Sequence, residues 1–184
     1  MSRIQTGDLF ASDADGIVHC EGAYDSAGAS LSQQFQAFQP ASSLLYEQRR
    51  AHYSVVHPQL FVTDAGPNVT PRWILHITPE PKNLEYTPDA IIGQLTAIAG
   101  AARRFGIRTL AFPWLGDRTP GPWQQGLFAG LVEQVFSRAA PEIEVVLMMA
   151  EHHVALATPV AEEVLQVSLS AWSQLIDPEE STNG

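Results

Sequence analysis

The chain is poor in basic residues, and lysine is almost absent. Its 184 residues include ten Lys and Arg against twenty Asp and Glu, a formal net charge of −10, and Lys82 is the one lysine. Binding to nucleic acid without sequence preference depends on clustered cations that neutralise phosphates. A polybasic membrane anchor depends on clustered cations as well. We therefore expect neither a membrane partner nor sequence-independent binding to nucleic acid.

Paired cysteines, a secretory signal and long apolar segments are also missing. Cys20 is the single cysteine, so the chain forms no intramolecular disulfide and no four-thiolate zinc site. Residues 1–8 contain no apolar signal region, and no segment approaches membrane-spanning length. Glu151, His152 and His153 are adjacent, but neighbouring residues rarely bind one metal together. We expect a cytoplasmic protein without a metal site or a resident cofactor.

Apolar residues, in contrast, are abundant, at 45% of the chain, which is enough for a folded core. Apolar runs alternate with helical patterns, and this order is typical of a three-layer α/β/α domain. The patterns predict strands at 16–20, 59–63, 72–77, 109–112 and 143–149. They predict helices from about residue 27 to a stop at Pro40, and at 44–50, 88–105 and 123–138. A turn at residues 66–68 predicts a hairpin, so the sheet is expected to be mixed.

The chain divides into a core domain of residues 1–150 and an extension of residues 151–184. Pro159 can start a helix in the extension, and the tail from Pro178 onwards is polar. The apolar stripe within residues 158–176 allows this helix to pack on the core or to form a homodimer.

Two loops rich in small residues follow predicted strands. Residues 25–30 lead into a helix, whose N-terminal N–H groups can hold an anion. Residues 115–117 follow the carboxyl end of a central strand, where open α/β sheets place their ligands. Two such loops could hold a diphosphate without lysine, and the alternative is a pair of ordinary tight connections.

The order of the motifs resembles the start of a macro domain. The matching segments are Ile4-Gln5-Thr6-Gly7-Asp8-Leu9-Phe10, Ile17-Val18-His19-Cys20, Gly28-Ala29-Ser30-Leu31 and Leu110 to Gly116. Macro domains are α/β/α modules that bind ADP-ribose, and many hydrolyse it from proteins or nucleic acids. The chain looks most like the branch of the terminal ADP-ribose protein glycohydrolase and of the antitoxins that remove ADP-ribose from DNA.

This resemblance implies roles at both ends of the ligand. Asp8 would accept a hydrogen bond from the adenine amino group, and the backbone at Leu9 would read the ring. The alternative for Asp8 is a strand-end carboxylate that caps the following turn. Trp114 could stack at the rim of the pocket. The diphosphate and distal ribose would lie between two loops formed by Gly28, Ala29 and Ser30 and by Leu115, Gly116 and Asp117.

The family's two catalytic residues are missing from their expected positions. The family has a lysine directly after the Ile-Thr of its third main strand, where this chain has Pro79. Its catalytic aspartate stands four residues before a tryptophan, and counting back from Trp123 gives Thr119. If the chemistry has moved, Asp117 could activate a water, or Lys82 could fold back into the site. The alternatives are a turn-forming aspartate and a solvent-facing lysine.

Two histidines and the cysteine stand in strands. His19 and Cys20 are adjacent, so their side chains point to opposite faces and cannot form a dyad. Cys20 is expected to be a small core residue. His76 is expected to be a hydrogen-bonded residue of the core or pocket wall rather than a base.

Three functions remain open from the sequence. The first is binding of ADP-ribose or of an ADP-ribosylated end group, with the chain as a pseudoenzyme. The second is an ADP-ribosyl glycohydrolase that works on protein or DNA without the family's lysine. The third is a degenerate macro fold that uses its cleft to bind a protein.

Overall fold

The computed structural model describes residues 2–20, 30–52, 60–77, 88–113 and 127–149 of the chain. The strands are β1 (Ser2–Thr6), β2 (Gly16–Cys20), β3 (Leu60–Asp64), β4 (Trp73–Ile77), β5 (Thr109–Pro113) and β6 (Glu144–Met149). The helices are α1 (Leu31–Phe38), α2 (Pro40–His52), α3 (Pro88–Arg104) and α4 (Leu127–Ala139), with a short 3₁₀ helix at Leu9–Ala11. Within these residues, no helix is long and apolar enough to cross a membrane.

The six strands form one sheet in the order β1-β6-β5-β2-β4-β3. All neighbouring pairs are parallel except β3 and β4, which form the expected antiparallel hairpin. Every residue of β2 is buried, as in a strand covered by helices on both faces. The α/β fold and the mixed sheet are therefore confirmed. Because five strands are parallel, their carboxyl ends lie at one edge of the sheet.

The largest differences from the sequence predictions lie around Pro40 and at β1. Pro40 is the first residue of α2, which begins four residues before the expected start at Leu44, and α1 already ends at Phe38. Proline fits a first helical position because its missing N–H has no partner there anyway. The edge strand β1 was not predicted, since Ile4 is the one large apolar residue among its five. Ile4 and Gln5 of this edge strand are only half-buried, so the strand lacks the continuous apolar run of a strand that is covered on both faces.

Asp15 joins three strands at the amino-terminal edge of the sheet through hydrogen bonds. Its Oδ2 accepts hydrogen bonds from the backbone N–H groups of Arg108 (2.8 Å) and Thr109 (3.0 Å). Its backbone carbonyl accepts from the N–H groups of Arg72 and Trp73, both at 3.1 Å. One residue thus ties the start of β2 to the starts of β4 and β5. This edge lies opposite the carboxyl ends of the parallel strands.

Candidate functional site

The predicted ligand residues Asp8, Leu9 and Ser30, which the structure describes, lie at the carboxyl edge of the sheet. Asp8 follows β1, and Ser30 precedes α1 after the end of β2. Open α/β sheets bind ligands at this edge. The remaining predicted site residues lie outside the described parts of the chain: Gly28, Ala29, Lys82, Trp114, Leu115, Gly116 and Asp117.

Asp8 sits in a sharp turn after β1. Gly7 before it has φ +139°, a conformation that L side chains rarely adopt. Asp8 Oδ1 accepts a hydrogen bond from the backbone N–H of Phe10 (2.9 Å), which caps the 3₁₀ helix. Its Oδ2 has no hydrogen-bond donor among the described residues. The capping alternative is therefore observed, and it leaves one carboxylate oxygen available for another donor.

The Asp8 turn is held against α1 by aromatic contacts. Leu9 and Phe10 are buried. The Phe10 ring centroid lies 6.4 Å from that of Phe35 and 5.4 Å from that of Phe38. Aromatic pairs at these separations pack favourably. The first predicted ligand segment is thus fixed beside the helix that follows the second one.

Ser30 is the N-cap of α1. Its Oγ accepts from the N–H of Gln33 at 3.5 Å, and its carbonyl begins the helical hydrogen bonds by accepting from Gln34. The N–H groups of a first helical turn have no partner within the helix, and they carry the positive end of the helix dipole. The start of α1 is therefore suited to an anionic group.

A chain of four polar side chains lies below this edge, on the face of the sheet that carries α1 and α2. His19 and His76 are opposite each other in the β2–β4 register, and their Nδ1 atoms are 3.0 Å apart. His76 Nε2 lies 2.8 Å from Thr63 Oγ1. His19 Nε2 lies 3.3 Å from Ser32 Oγ. Every imidazole nitrogen of the pair therefore has a hydrogen-bond partner.

Aromatic rings enclose the two imidazoles. Tyr46 stacks on His76 with ring centroids 4.2 Å apart and planes 16° apart. Phe35 contacts His76 at 4.7 Å and His19 at 5.1 Å. Burial lowers the pKa of His19 from 6.5 to about 4. Burial lowers the pKa of His76 to about 2, and electrostatic repulsion from the neighbouring His19 contributes a smaller part of this change. Both rings are neutral at pH 7.

The histidine chain bears out one prediction and extends it. His76 is buried and hydrogen-bonded, as expected, but its pairing with His19 was not predicted. The sequence carries a signal, because each histidine is the fourth residue of a five-residue apolar strand. Only the strand order shows that these two positions are neighbours. Cys20 is buried in the core as predicted, and burial raises the pKa of its thiol to about 12.

Other predictions stay untested by the geometry. The roles of Leu9 and Ser30 towards a ligand remain predictions. Residues 151–184, including the possible dimer helix at 158–176, lie outside the described residues. Within the described ranges, no group of three His, Cys, Asp or Glu residues could hold a metal ion.

The fold is similar to that of solved macrodomains. The macrodomain of Mycobacterium tuberculosis DarG matches with a TM-score of 0.64 at 21% identity, covering 81% of this chain and 97% of that one. The macrodomain of Thermus aquaticus DarG matches with a TM-score of 0.62 at 20% identity, covering 80% and 97%. Thermosipho africanus DarTG in complex with ADP-ribose matches with a TM-score of 0.59 at 14% identity, covering 89% and 46%.

Comparisons based on sequence alone give no relative. No protein-family model matches the chain, and no curated protein matches it significantly. The similarity therefore lies in the arrangement of helices and strands. The chain has the macrodomain fold, in agreement with the resemblance of its motifs.

Proposed function

We propose that the chain binds ADP-ribose, or an ADP-ribosylated end group, at the carboxyl edge of its sheet. The observation that carries this proposal is that the Asp8 turn, which packs on Phe35 and Phe38 of α1, and the N-terminus of α1 both lie at the carboxyl edge of a macrodomain fold. One of the similar solved structures holds ADP-ribose. That similarity supports ADP-ribose as the class of ligand. The contacts that this chain would make with it are tested by the experiments below.

Asp8 would recognise the adenine end. Its Oδ1 already accepts a hydrogen bond from the Phe10 N–H, so Oδ2 is the oxygen that would accept from the adenine amino group. The cap fixes the carboxylate before the ligand arrives, which lowers the entropy lost on binding. The two interpretations of Asp8, as cap and as ligand residue, are thus compatible. The backbone at Leu9 would read the adenine ring beside it.

The diphosphate would lie at the start of α1. First-turn N–H groups and the helix dipole favour an anion there, and small residues at Gly28 and Ala29 would let the backbone approach it. Ser30 would end this loop as the N-cap. The opposite wall would come from Leu115, Gly116 and Asp117, with Trp114 at the rim. Such a site needs no lysine, which fits a chain that has one.

Hydrolysis by the family's lysine mechanism is not part of this proposal, because Pro79 stands at the position of that lysine. A reader and a hydrolase are separated by incubating the protein with ADP-ribosylated protein or DNA and measuring released ADP-ribose. We expect binding without release. Release that depends on Asp117 would instead support the alternative hydrolase.

Titration calorimetry with ADP-ribose tests binding directly. Asp8→Ala should weaken binding by about 10-fold to 100-fold, since a hydrogen bond to a charged group contributes roughly 1.5–3 kcal/mol. Asp13→Ala is the control: it removes another exposed carboxylate, near the amino end of β2, and should change affinity less than about twofold. No heat from the wild-type protein, or equal weakening by both variants, would reject the proposal.

A further inference from the structure

We propose that Ser32, His19 and His76 form a nucleophile–base–orienting triad that attacks carboxylic esters. Ser32 is the nucleophile, His19 the general base, and His76 the residue that orients the base. The inference goes beyond ADP-ribose binding and stands on contacts within the described residues alone. It concerns a second chemistry at the same edge of the sheet.

The geometry has the connectivity that such a triad requires. A nucleophile must be within hydrogen-bond reach of a base, and a third group must hold the base in position. Ser32 Oγ lies 3.3 Å from His19 Nε2, and His19 Nδ1 lies 3.0 Å from His76 Nδ1. The opposite nitrogens of the His19 ring thus serve the two partners, as in a triad that is recognised by geometry and roles.

The hydrogen bonds can be assigned consistently with both imidazoles neutral. In the active arrangement the Ser32 hydroxyl donates to His19 Nε2, and His19 Nδ1–H donates to His76 Nδ1. His76 Nε2–H then donates to Thr63 Oγ1, 2.8 Å away. In this arrangement Thr63 accepts from His76, and the tautomers of His76 and His19 are linked through the hydrogen bond that the two rings share. A neutral imidazole has one donor and one acceptor nitrogen, so no proton is missing from this chain.

The surroundings hold the base rigid while leaving the nucleophile partly exposed. His76 is 0% exposed and His19 is 1% exposed, and the rings of Phe35 and Tyr46 contact both imidazoles. Tyr46 is the ionisable side chain whose ring stacks on His76, and no carboxylate of the described residues bonds to either imidazole. Ser32 is only partly buried in the first turn of α1, where the helix dipole stabilises developing negative charge.

The reaction that follows is acyl transfer. Ser32 Oγ attacks the ester carbonyl carbon while its proton moves to His19 Nε2. The tetrahedral intermediate collapses, the ester C–O bond breaks, and the alcohol leaves with the proton from His19. Water then attacks the acyl-serine, transfers a proton through His19, and releases the carboxylic acid with Ser32 restored. The step needs no oxidant, reductant or metal.

A fluorophosphonate ester tests the nucleophile without a known substrate. The wild-type protein should gain one adduct, located at Ser32 by peptide mass mapping. Ser32→Ala should abolish labelling, and His19→Gln should slow it by about 100-fold or more, the usual contribution of a general base. Ser137→Ala is the control, because it removes an exposed helical serine and should label as the wild type does.

A measurement on the wild-type protein covers the case in which a histidine variant fails to fold. Nitrogen-15 NMR reports which imidazole nitrogens carry protons. We expect His19 protonated at Nδ1 and His76 protonated at Nε2. The reversed tautomers, absent labelling, or labelling that survives Ser32→Ala would overturn the proposal. ADP-ribose is not used in either experiment, so the outcome is independent of the binding proposal.

Discussion

Lowering the pH from 7.5 to 5 should destabilise the protein by about 4 kcal/mol through His19 and His76. In the unfolded chain both side chains take the ordinary pKa of about 6.5 and bind protons as the pH falls. In the folded protein burial lowers the pKa of His19 to about 4 and that of His76 to about 2. The unfolded state therefore binds more protons across this window, so stability is full above pH 7 and falls below about 6.5.

The magnitude follows from proton linkage. Each histidine that charges only on unfolding costs about 2 kcal/mol between pH 7.5 and 5. Two such groups cost about 4 kcal/mol, a large part of the roughly 5–15 kcal/mol that stabilises a typical domain. Below pH 4 His19 also charges in the folded state, so its part of the slope ends there.

Urea unfolding followed by tryptophan fluorescence, repeated from pH 7.5 to 5, measures this slope. The double variant His19→Gln/His76→Gln keeps hydrogen-bonding groups and should lose most of it, each protein being compared with its own stability at pH 7.5. An equal slope in both proteins would refute the reasoning. If the variant does not fold, proton NMR of the wild type decides: neither imidazole should titrate between pH 7.5 and 5.5.

Three further predictions concern single residues. Asp15→Ala removes the acceptor of the Arg108 and Thr109 amides and should lower the free energy of unfolding by about 2 kcal/mol, whereas no change in a urea titration would contradict this fastening role. Gly16→Ala should destabilise the fold, because its Cβ would lie 3.3 Å from a backbone oxygen of β4 and 3.0 Å from a buried methyl group; an unchanged unfolding midpoint would contradict that crowding. Cys20 should resist a disulfide reagent at pH 8 in the folded protein and react in urea, because burial raises the pKa of its thiol to about 12. Rapid reaction of the folded protein would contradict this.

Local sequence patterns were sufficient to predict those strands and helices that are buried on one face or on both. The bounds of β2 match the prediction. Every residue of this strand is buried, and its sequence is a short apolar run that ends at Cys20. The end of α3 was also predictable, since Gly106 adopts φ +68° after the last turn. In contrast, β1 has little apolar content, and nothing local distinguishes it from a loop. Its pairing with β6 is a long-range contact that no short sequence window contains.

The candidate site was predictable only in part for the same reason. Asp8 and Ser30 were identified from motifs, and both lie at the carboxyl edge of the sheet. The His19–His76 pair was missed because the two residues are far apart in sequence and meet only through the register of β2 and β4. Residue type alone favours a core role for each histidine. Their contacts with Ser32 and Thr63 are visible only in the folded structure.

The central claim is that ADP-ribose binds at the carboxyl edge of the sheet, and NMR chemical-shift mapping on the nitrogen-15-labelled protein tests it most directly. ADP-ribose should shift the amide signals of residues 7–10 and 30–33. The signals of Asp15 and Gly66, at the opposite edge, should stay in place. An absence of shifts at saturating ligand, or shifts confined to the Asp15 edge, would contradict binding of ADP-ribose at the carboxyl edge.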